Sequence, residues 1–233
     1  MLNTKIAVNC FLTSVLLTFS SLPSRADDKS KDEETFRNAS AVLQAMLDAK
    51  TVPETLLAKA DCVVVLPGVK KGAFIVGGTG GRGPMSCRSG KNFSGKWSAP
   101  AMYSIGGASI GMQVGGSSTD FVLLIMAPSA VDAVLQGKTK IGSDMTAAAG
   151  PSGATSAGSV GGADILTYGR ASGLFAGMSL SGASLSPDND ANERLYGKSA
   201  TTRDIVIGGT VKPSAGGKSL ISLLNGSVPA HGD

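Results

Sequence analysis

The chain has 233 residues, with 21 lysines and arginines against 17 aspartates and glutamates, so its formal net charge is +4. This small excess argues against a nucleic-acid-binding protein, which usually concentrates many basic residues on one face, and no nucleic-acid-binding motif occurs. Glycine is the outlier, with 32 residues, about twice its usual share. Because the glycines are interspersed among aliphatic residues, the composition indicates short strands and tight turns rather than disorder.

The first 26 residues have the three parts of a secretion signal. Lys5 supplies the positive charge, residues 6–19 are mostly apolar, and Ser24-Arg25-Ala26 precedes a cleavage site at Ala26–Asp27. The apolar stretch is shorter than the roughly 20 residues that a transmembrane helix needs, so we prefer a cleaved signal to a retained anchor. The sequence therefore predicts a periplasmic or secreted protein.

Lipidation at Cys10 is a further alternative, but Asn9 occupies the position where lipoprotein signals need a small residue. Removal of residues 1–26 takes away Lys5 and Arg25 and no acidic residue. The mature chain then has 19 basic and 17 acidic residues and is nearly neutral. Any anion binding must therefore come from local clustering of basic residues.

Helices are predicted at the start of the mature chain, after a polar leader at residues 27–32. A helix is expected over 33–49, where Ser30 and Glu33 have capping-box spacing. Its apolar residues share one face: Phe36, Ala39, Leu43, Met46 and Leu47. A second short helix is predicted to start near Thr51.

From residue 61 the pattern changes from helical to β. The unbroken apolar run 62–66 predicts a buried strand, residues 77–83 predict a glycine turn, and 119–126 is the strongest strand. Further strands are predicted at 73–76, 85–88, 96–99, 165–170, 174–185 and 204–207, and further helices at 128–135, 188–195 and 213–224.

These elements predict a single α+β domain over residues 33–225, followed by a polar tail at 226–233. We expect a largely antiparallel, twisted, barrel-like sheet whose edges are covered by the N-terminal and C-terminal helices. Alternating β-α units are absent, which argues against a doubly wound sheet.

Two motifs imitate catalytic or nucleotide sites. The glycines at 78, 80 and 83 match a dinucleotide fingerprint, but no helix is predicted to follow them. Ser109 lies in a Gly-x-Ser-x-Gly motif, yet the one histidine, His231, lies in the polar tail. We therefore expect no enzyme and no cofactor, and keep a serine hydrolase acting through Ser109 as a minor alternative.

Two more motifs imitate phosphate and calcium loops. Residues 216–219 end like a phosphate-binding loop, but Lys212 stands where its first glycine is required, so the start of the last helix is preferred. Asp188, Asp190 and Asn192 begin like a calcium loop, but its required glycine and glutamate are missing. Helix capping is the better interpretation, and no metal is expected.

The mature chain keeps two cysteines, Cys62 and Cys87. An oxidising compartment permits a disulfide between them, but two separate buried thiols explain the sequence equally well. Neither cysteine lies in a Cys-x-x-Cys motif, so a structural zinc site is not expected.

A set of segments in a fixed order is more specific than any of these motifs. They are Val-Leu-Pro-Gly-Val-Lys-Lys-Gly-Ala-Phe at 65–74, Gly-Gly-Arg-Gly at 80–83, Trp-Ser-Ala-Pro at 97–100, Gly-Gly-Ala-Ser-Ile-Gly-Met-Gln-Val-Gly at 106–115, Gly-Ser-Asp at 142–144, Ala-Ala-Gly-Pro at 148–151, Tyr-Gly-Arg-Ala-Ser-Gly-Leu-Phe-Ala-Gly at 168–177, Leu-Ser-Gly at 180–182, Asn192 and Tyr-Gly at 196–197. Over roughly residues 36–225, this order resembles the SYLF-domain family of lipid-binding proteins.

The resemblance implies membrane-lipid binding without catalysis, in some members through an amphipathic first helix and basic residues. Here the matching helix 33–49 has a polar face of mixed charge, with Glu33, Glu34, Asp48, Arg37 and Lys50, whereas the polar face of interfacial helices is usually rich in Lys and Arg. We therefore expect its apolar face to pack in the core, and we expect the same of Trp97.

The candidate lipid-binding residues are the basic residues of the matching segments and the loops beside them: Lys70, Lys71, Arg82, Arg88, Lys91 and Lys96. If they share one rim, each contributes about 1 kcal/mol near an anionic leaflet, and the turn 77–83 adds backbone N–H groups as a nest. The expected partner is anionic phospholipid or a membrane surface. The alternative is a structural or protein-interaction module of the cell envelope.

Overall fold

The computed structural model describes residues 25–73, 77–109, 115–137, 139–150, 162–171, 174–176, 180 and 182–227. The predicted secretion signal up to residue 24 and the tail from residue 228 lie outside these ranges. Within the described ranges, no helix combines the length and the apolar character needed to cross a bilayer.

The described residues form six α-helices and nine β-strands. The helices are α1 (Arg25–Asp48), α2 (Glu54–Lys59), α3 (Pro128–Gln136), α4 (Asn189–Tyr196), α5 (Thr202–Val206) and α6 (Gly217–Ser227). The strands are β1 (Cys62–Ala73), β2 (Gly77–Cys87), β3 (Ala101–Ser109), β4 (Gly115–Ile125), β5 (Thr139–Lys140), β6 (Ala147–Ala149), β7 (Ile165–Ala171), β8 (Leu174–Ala176) and β9 (Ser184–Pro187).

All nine strands belong to one sheet, in the order β5-β9-β3-β2-β1-β4-β7-β6, with β8 also paired to β7. The β6–β7 pair is parallel, and the other pairs are antiparallel. The sheet curls into a half-barrel. The predicted α+β class and the largely antiparallel sheet are therefore confirmed.

Both faces of β1 are buried over residues 62–66, which explains the unbroken apolar run there. Val63 and Val65 pack in a cluster with α1, α2 and α6, whereas Val64 and Leu66 pack in a cluster with α3 and α5. Successive side chains of a strand point to opposite faces, so a strand covered on both sides needs an apolar residue at every position. The N-terminal and C-terminal helices thus cover a face of the sheet rather than its edges.

The first helix begins before its predicted start and includes the polar segment 27–32. Asp27 and Asp28 lie in its first turn, where the helix dipole favours acidic side chains. Lys31 Nζ lies 2.8 Å from Asp27 Oδ2, one helical turn away. These local interactions stabilise the first turns of the helix, although residues 27–32 have almost no apolar pattern. The prediction that residues 27–32 form a leader separate from the helix is therefore wrong.

Residues 77–83 form part of strand β2, so the predicted glycine turn is wrong. This strand pairs with β1 on one side and with β3 on the other. Glycine is required at position 83, where a Cβ would lie 1.9 Å from the carbonyl oxygen of Val65. Because an interior strand engages its backbone N–H groups with its neighbours, the predicted anion-binding nest is not formed.

Residues 204–206 lie in α5, so the predicted strand at 204–207 is also wrong. The Thr201 side chain accepts a hydrogen bond from Asp204 N at 3.1 Å, and Asp204 Oδ2 accepts one from Thr201 N at 3.0 Å. This reciprocal capping box starts a helix. The pKa of Asp204 is lowered, first by the hydrogen bond that its carboxylate accepts from the Thr201 hydroxyl and then by the one from Thr201 N. Local capping thus outweighs the β-propensity of the apolar residues that follow it.

Candidate functional site

The six predicted lipid-binding residues do not share one rim. Lys70 pairs with Gly80 in the β1–β2 ladder, whereas Arg88 lies beyond the Cys62–Cys87 pair at the opposite end. Eight residues of extended chain separate the two ends, a distance of roughly 25 Å. The expectation of a single basic rim is therefore wrong, and the residues fall into separate environments.

Lys70 and Lys71, although adjacent in the chain, lie on opposite faces of the sheet. The ammonium group of Lys71 lies 5.4 Å from the centre of the Phe121 ring, and Phe121 belongs to the core cluster that contains α3 and α5. Lys70 is exposed on the face that α1 covers. Only Lys70 is thus available on the α1 face, where it has no ion pair among the described residues.

Arg88 is part of the core and is not available to a membrane. It is 1% exposed, its guanidinium carbon lies 4.6 Å from the centre of the Trp97 ring, and it donates to Gly95 O and Ala58 O, each at 3.3 Å. Burial lowers its pKa, and the nearby Asp61 partly offsets this effect. Its assignment as a lipid contact is therefore wrong, whereas the prediction that Trp97 packs in the core is confirmed.

Asp61 lies at the start of β1 and shares this environment with Arg88. Burial raises the pKa of Asp61 to about 6, and the positive charge of Arg88 acts in the opposite direction. Asp61 Oδ2 is buried and has no hydrogen-bond partner among the described residues. The folded state therefore penalises the ionised form of Asp61 at neutral pH.

Lys91 and Lys96 lie in the connection that follows Arg88, and both are exposed. The connection is closed at its base, because Ser89 donates to Lys96 O from its backbone N–H at 2.9 Å and from its hydroxyl at 2.8 Å. Neither lysine has an ion pair in the part of the chain that the structure describes. They form a small basic surface at the end of the sheet away from Lys70.

Arg82 lies at the centre of a network that ties α1 to α4 and β2. It binds Asp32, whose side chain has no exposed surface, and its Nη1 lies 3.5 Å from Asp188 Oδ2. Arg194 Nε donates to the other oxygen of Asp32 at 2.7 Å, and this hydrogen bond raises the pKa of Arg194. Two arginines and two aspartates therefore neutralise one another beneath the first helix.

The sequence reasoning missed Asp32, although a signal for it exists. Asp32 lies one helical turn before Phe36 and is aligned with the buried face of α1 that continues through Ala39 and Leu43. A charged residue in the apolar stripe of a helix must meet a buried partner of opposite charge. If the predicted helix is taken to begin at residue 25, the position of Asp32 in the apolar stripe predicts that its carboxylate is buried.

A cleft of about 390 Å³ opens between α1 and the glycine-rich part of the β1–β2 pair. Its lining consists of polar, glycine and proline residues: Thr35, Asn38, Pro67, Gly68, Lys70, Gly80, Gly81 and Arg82. It therefore brings together two of the six predicted lipid-binding residues, Lys70 and Arg82. A concave site with convergent cationic groups suits a small anion, and this cleft is the candidate functional site.

The other motifs have structural roles where the structure describes them. Asp188 caps α4, because its side chain accepts a hydrogen bond from Ala191 N at 3.0 Å, which confirms the capping interpretation. Lys218 and Ser219 lie in the first turn of α6, as predicted. The side chain of Ser109 lies outside the described residues, as does His231.

Cys62 and Cys87 form a disulfide between neighbouring strands. They are opposite each other in the β1–β2 ladder, their sulfur atoms are 2.03 Å apart, and both residues are fully buried. Of the two alternatives that the sequence left open, the structure contains the bonded pair.

Comparison with known proteins identifies relatives across most of the chain. A family model described as Ysc84, Las17-binding protein actin regulator, matches residues 106–227. An SH3 domain-containing protein of Schizosaccharomyces pombe is 33% identical over 90% of this chain. The SH3 domain-containing YSC84-like protein 1 of Homo sapiens is 34% identical over 71% of this chain.

LAS seventeen-binding protein 3 of Saccharomyces cerevisiae is 31% identical over 70% of this chain. The chain spans about half the length of the Schizosaccharomyces and human relatives, with 48% of each covered, and 36% of the yeast protein. None of these three relatives carries the name of an enzyme. The resemblance found in the sequence is thereby confirmed, and the chain belongs to the Ysc84 family, also called the SYLF-domain family.

Proposed function

We propose that this chain binds anionic phospholipid headgroups at a membrane surface, without catalysis, through the cleft that contains Lys70 and Arg82. The observation that carries the proposal is the position of Lys70. It is an exposed cation with no ion pair among the described residues, and it lies beside a guanidinium at the mouth of a polar cleft. One such side chain contributes about 1 kcal/mol near an anionic leaflet, so the binding is expected to be weak and sensitive to salt.

Insertion of the first helix has no part in this proposal. Phe36 and Leu43 are fully buried, and Leu47 is nearly so, which confirms the prediction that the apolar face of α1 packs in the core. To insert Leu43 and Leu47 into a membrane, the protein would have to expose the cluster that they share with the sheet and α6. To insert Phe36, it would have to expose the contacts of this ring with β3 and α4. We therefore assign lipid contact to the folded surface.

We further propose that the protein acts outside the cytoplasm after cleavage between Ala26 and Asp27. The three-part signal in residues 1–26 supports this proposal, and the Cys62–Cys87 disulfide is of the kind found in oxidising compartments. N-terminal sequencing of the protein from the producing cells tests it. Asp27 as the first residue is expected, and an intact N-terminus in the cytosolic fraction overturns the proposal.

Vesicle co-sedimentation tests the lipid proposal with purified residues 27–233. Phosphatidylglycerol vesicles should retain the protein at low salt and release it as salt rises, because screening weakens surface electrostatics. Phosphatidylcholine vesicles should retain little at either salt concentration. Equal and negligible binding to both kinds of vesicle overturns the proposal.

The second candidate function is that of a protein-interaction module. The observation that favours it is the name of the yeast relative, a LAS seventeen-binding protein. This function predicts a defined complex in the cell envelope that survives detergent and does not respond to replacement of Lys70. Crosslinking in intact cells followed by size-exclusion chromatography separates the two functions, since lipid binding through the cleft predicts release by detergent.

A further inference from the structure

We infer that the cleft is matched to a singly charged phosphodiester rather than to a phosphomonoester or a polyphosphorylated headgroup. This inference rests on the proposed function, since it concerns the ligand of the same site. It comes from the balance of charge around the cleft, which depends on Asp32 and Asp188 as much as on Lys70 and Arg82.

Arg82 brings no uncompensated charge to the cleft. Its positive charge and that of Arg194 are balanced by Asp32 and Asp188, which lie within ion-pair distance of them. The carboxylate of Asp32 is fully buried, so solvent cannot replace either arginine as its partner. Arg82 can still donate hydrogen bonds from its remaining N–H groups to a ligand oxygen. Because Asp32 and Asp188 already neutralise its charge, however, it attracts a further negative charge only weakly.

The next charged pair along the sheet is also neutral. Arg170 Nη2 lies 2.7 Å from Asp120 Oδ2, and the backbone N–H of Gly68, in the cleft lining, donates to Asp120 Oδ1 at 2.9 Å. This hydrogen bond fixes the wall of the cleft. It also engages the N–H group of Gly68, which therefore cannot serve as an anion donor.

The exposed charges at the start of α1 do not add positive charge either. Lys31 lies 2.8 Å from Asp27 and 3.8 Å from Asp28, and these three side chains together with the exposed Lys29 carry no net charge. Among the residues that line the cleft, Lys70 is thus the source of uncompensated positive charge. One ammonium group balances one phosphodiester, whereas each added phosphomonoester brings about two further charges toward Asp32 and Asp188.

The size and lining of the cleft limit it to the headgroup. Its volume of about 390 Å³ lies at the lower end of ligand pockets, and Pro67 is its largest apolar lining residue. Among the described residues, no large aliphatic or aromatic side chain lines the cleft, so it has no apolar channel of the length that an acyl chain needs. The chains therefore stay in the membrane, and the protein binds at the surface without extracting lipid.

Vesicles of equal total negative charge test the selectivity. One set carries phosphatidylglycerol, and the other carries phosphatidylinositol bisphosphate diluted so that the surface charge matches. We expect the phosphatidylglycerol vesicles to bind residues 27–233 at least as tightly. Severalfold tighter binding to the bisphosphate vesicles overturns this inference alone, whereas no binding to either overturns the proposed function as well.

The Asp188→Asn variant tests the charge balance directly. Asparagine also caps helices, so α4 is retained while the cleft gains one net positive charge. The added charge should strengthen binding to both kinds of vesicle, because both are anionic. The ratio of bisphosphate to phosphatidylglycerol binding should also rise, because only the bisphosphate headgroup brings a second phosphate to the cleft. The matched control is Asp132→Asn in α3, which removes the same charge on the opposite face of the sheet and should leave the ratio unchanged. An equal shift in both variants overturns the inference.

Soluble competitors distinguish a lipid headgroup from free phosphate. Glycerophosphoglycerol, which contains the same phosphodiester, should displace the protein from phosphatidylglycerol vesicles more strongly than inorganic phosphate does at equal ionic strength. Stronger displacement by inorganic phosphate identifies a phosphomonoester site and overturns the inference.

Discussion

The guanidinium of Arg82 binds the carboxylate of Asp32, which has no exposed surface. Arg194 binds the second carboxylate oxygen at 2.7 Å, so β2 and α4 are held to the first helix through one buried charge. Replacement of Asp32 by Ala leaves two arginines without their shared partner. We expect the free energy of unfolding, measured with urea, to fall by about 3–5 kcal/mol.

The control for this variant is Asp132→Ala. Asp132 also pairs with an arginine, Arg203, at 2.9 Å, but both side chains are more than half exposed. Exposed pairs contribute about 0–1 kcal/mol, so this variant should unfold almost as the wild type does. Similar losses in the two variants would show that the buried network does not anchor α1.

Two glycines of the same strand should respond very differently to alanine. A Cβ at position 83 would lie 1.9 Å from the carbonyl oxygen of Val65, whereas a Cβ at position 80 meets no atom within 4 Å. Gly83→Ala forces two paired strands apart, and we expect it to destabilise the fold by more than about 4 kcal/mol. The control, Gly80→Ala, should change the free energy of unfolding by less than about 1 kcal/mol. A Gly83→Ala protein that folds as stably as the wild type would contradict the close approach of β1 and β2.

The disulfide closes a loop with a sequence separation of 25 residues. Chain-entropy arguments assign to such a loop about 3.5 kcal/mol of stability. The double replacement Cys62→Ala and Cys87→Ala should therefore lower the unfolding free energy by about this amount. Reductant should destabilise the wild type but leave the double variant unaffected, and a wild type that is indifferent to reductant contradicts the bond.

The pKa of Asp61, raised to about 6 by burial, predicts a specific pH dependence. A carboxyl group whose pKa is higher in the folded state favours folding while it is protonated, and that contribution is lost as pH rises through about 6. Asp61→Asn removes the penalty at neutral pH. Relative to the wild type, it should gain roughly 1–2 kcal/mol between about pH 4 and about pH 8, a value reduced for the partial exposure of Asp61.

Urea unfolding of both proteins at the two pH values measures this gain. The quantity compared is the unfolding free energy of the variant minus that of the wild type, taken at each pH. Other carboxyl groups titrate in both proteins, and their effects cancel in this difference. A difference that is constant with pH, or a variant that weakens as pH rises, contradicts the assignment.

The parts of the fold that the sequence predicts well are those set by local patterns. The run at 62–66 becomes the buried start of β1, and α3 and α4 lie within a residue of their predicted ranges. The failure at residues 204–207 has a local cause, the capping box of α5, whereas the failures in β2 and at the start of α1 involve distant contacts. Gly83 is glycine because Val65 lies against it, and the start of α1 is stabilised by Asp32 binding two arginines that follow it in the chain by 50 and 162 residues.

The candidate site was predicted only in part, for the same reason. Basic residues close in sequence suggested one rim, but the alternation of strand side chains places Lys70 and Lys71 on opposite faces. Arg88 looks like an exposed loop cation until its contact with the Trp97 ring is seen. The charge balance of the cleft depends on Asp32 and Asp188, whose approach to Arg82 no local pattern indicates.

Binding of anionic phospholipid through the cleft is tested most directly by comparing Lys70→Ala with Lys71→Ala in the same vesicle experiment. The two variants have the same composition and net charge, and they differ only in the face of β1 that loses its ammonium group. Lys70→Ala should weaken binding to phosphatidylglycerol vesicles about fivefold, and Lys71→Ala should weaken it by less than about twofold. Equal losses in both variants, or no loss in Lys70→Ala, would contradict binding through the cleft.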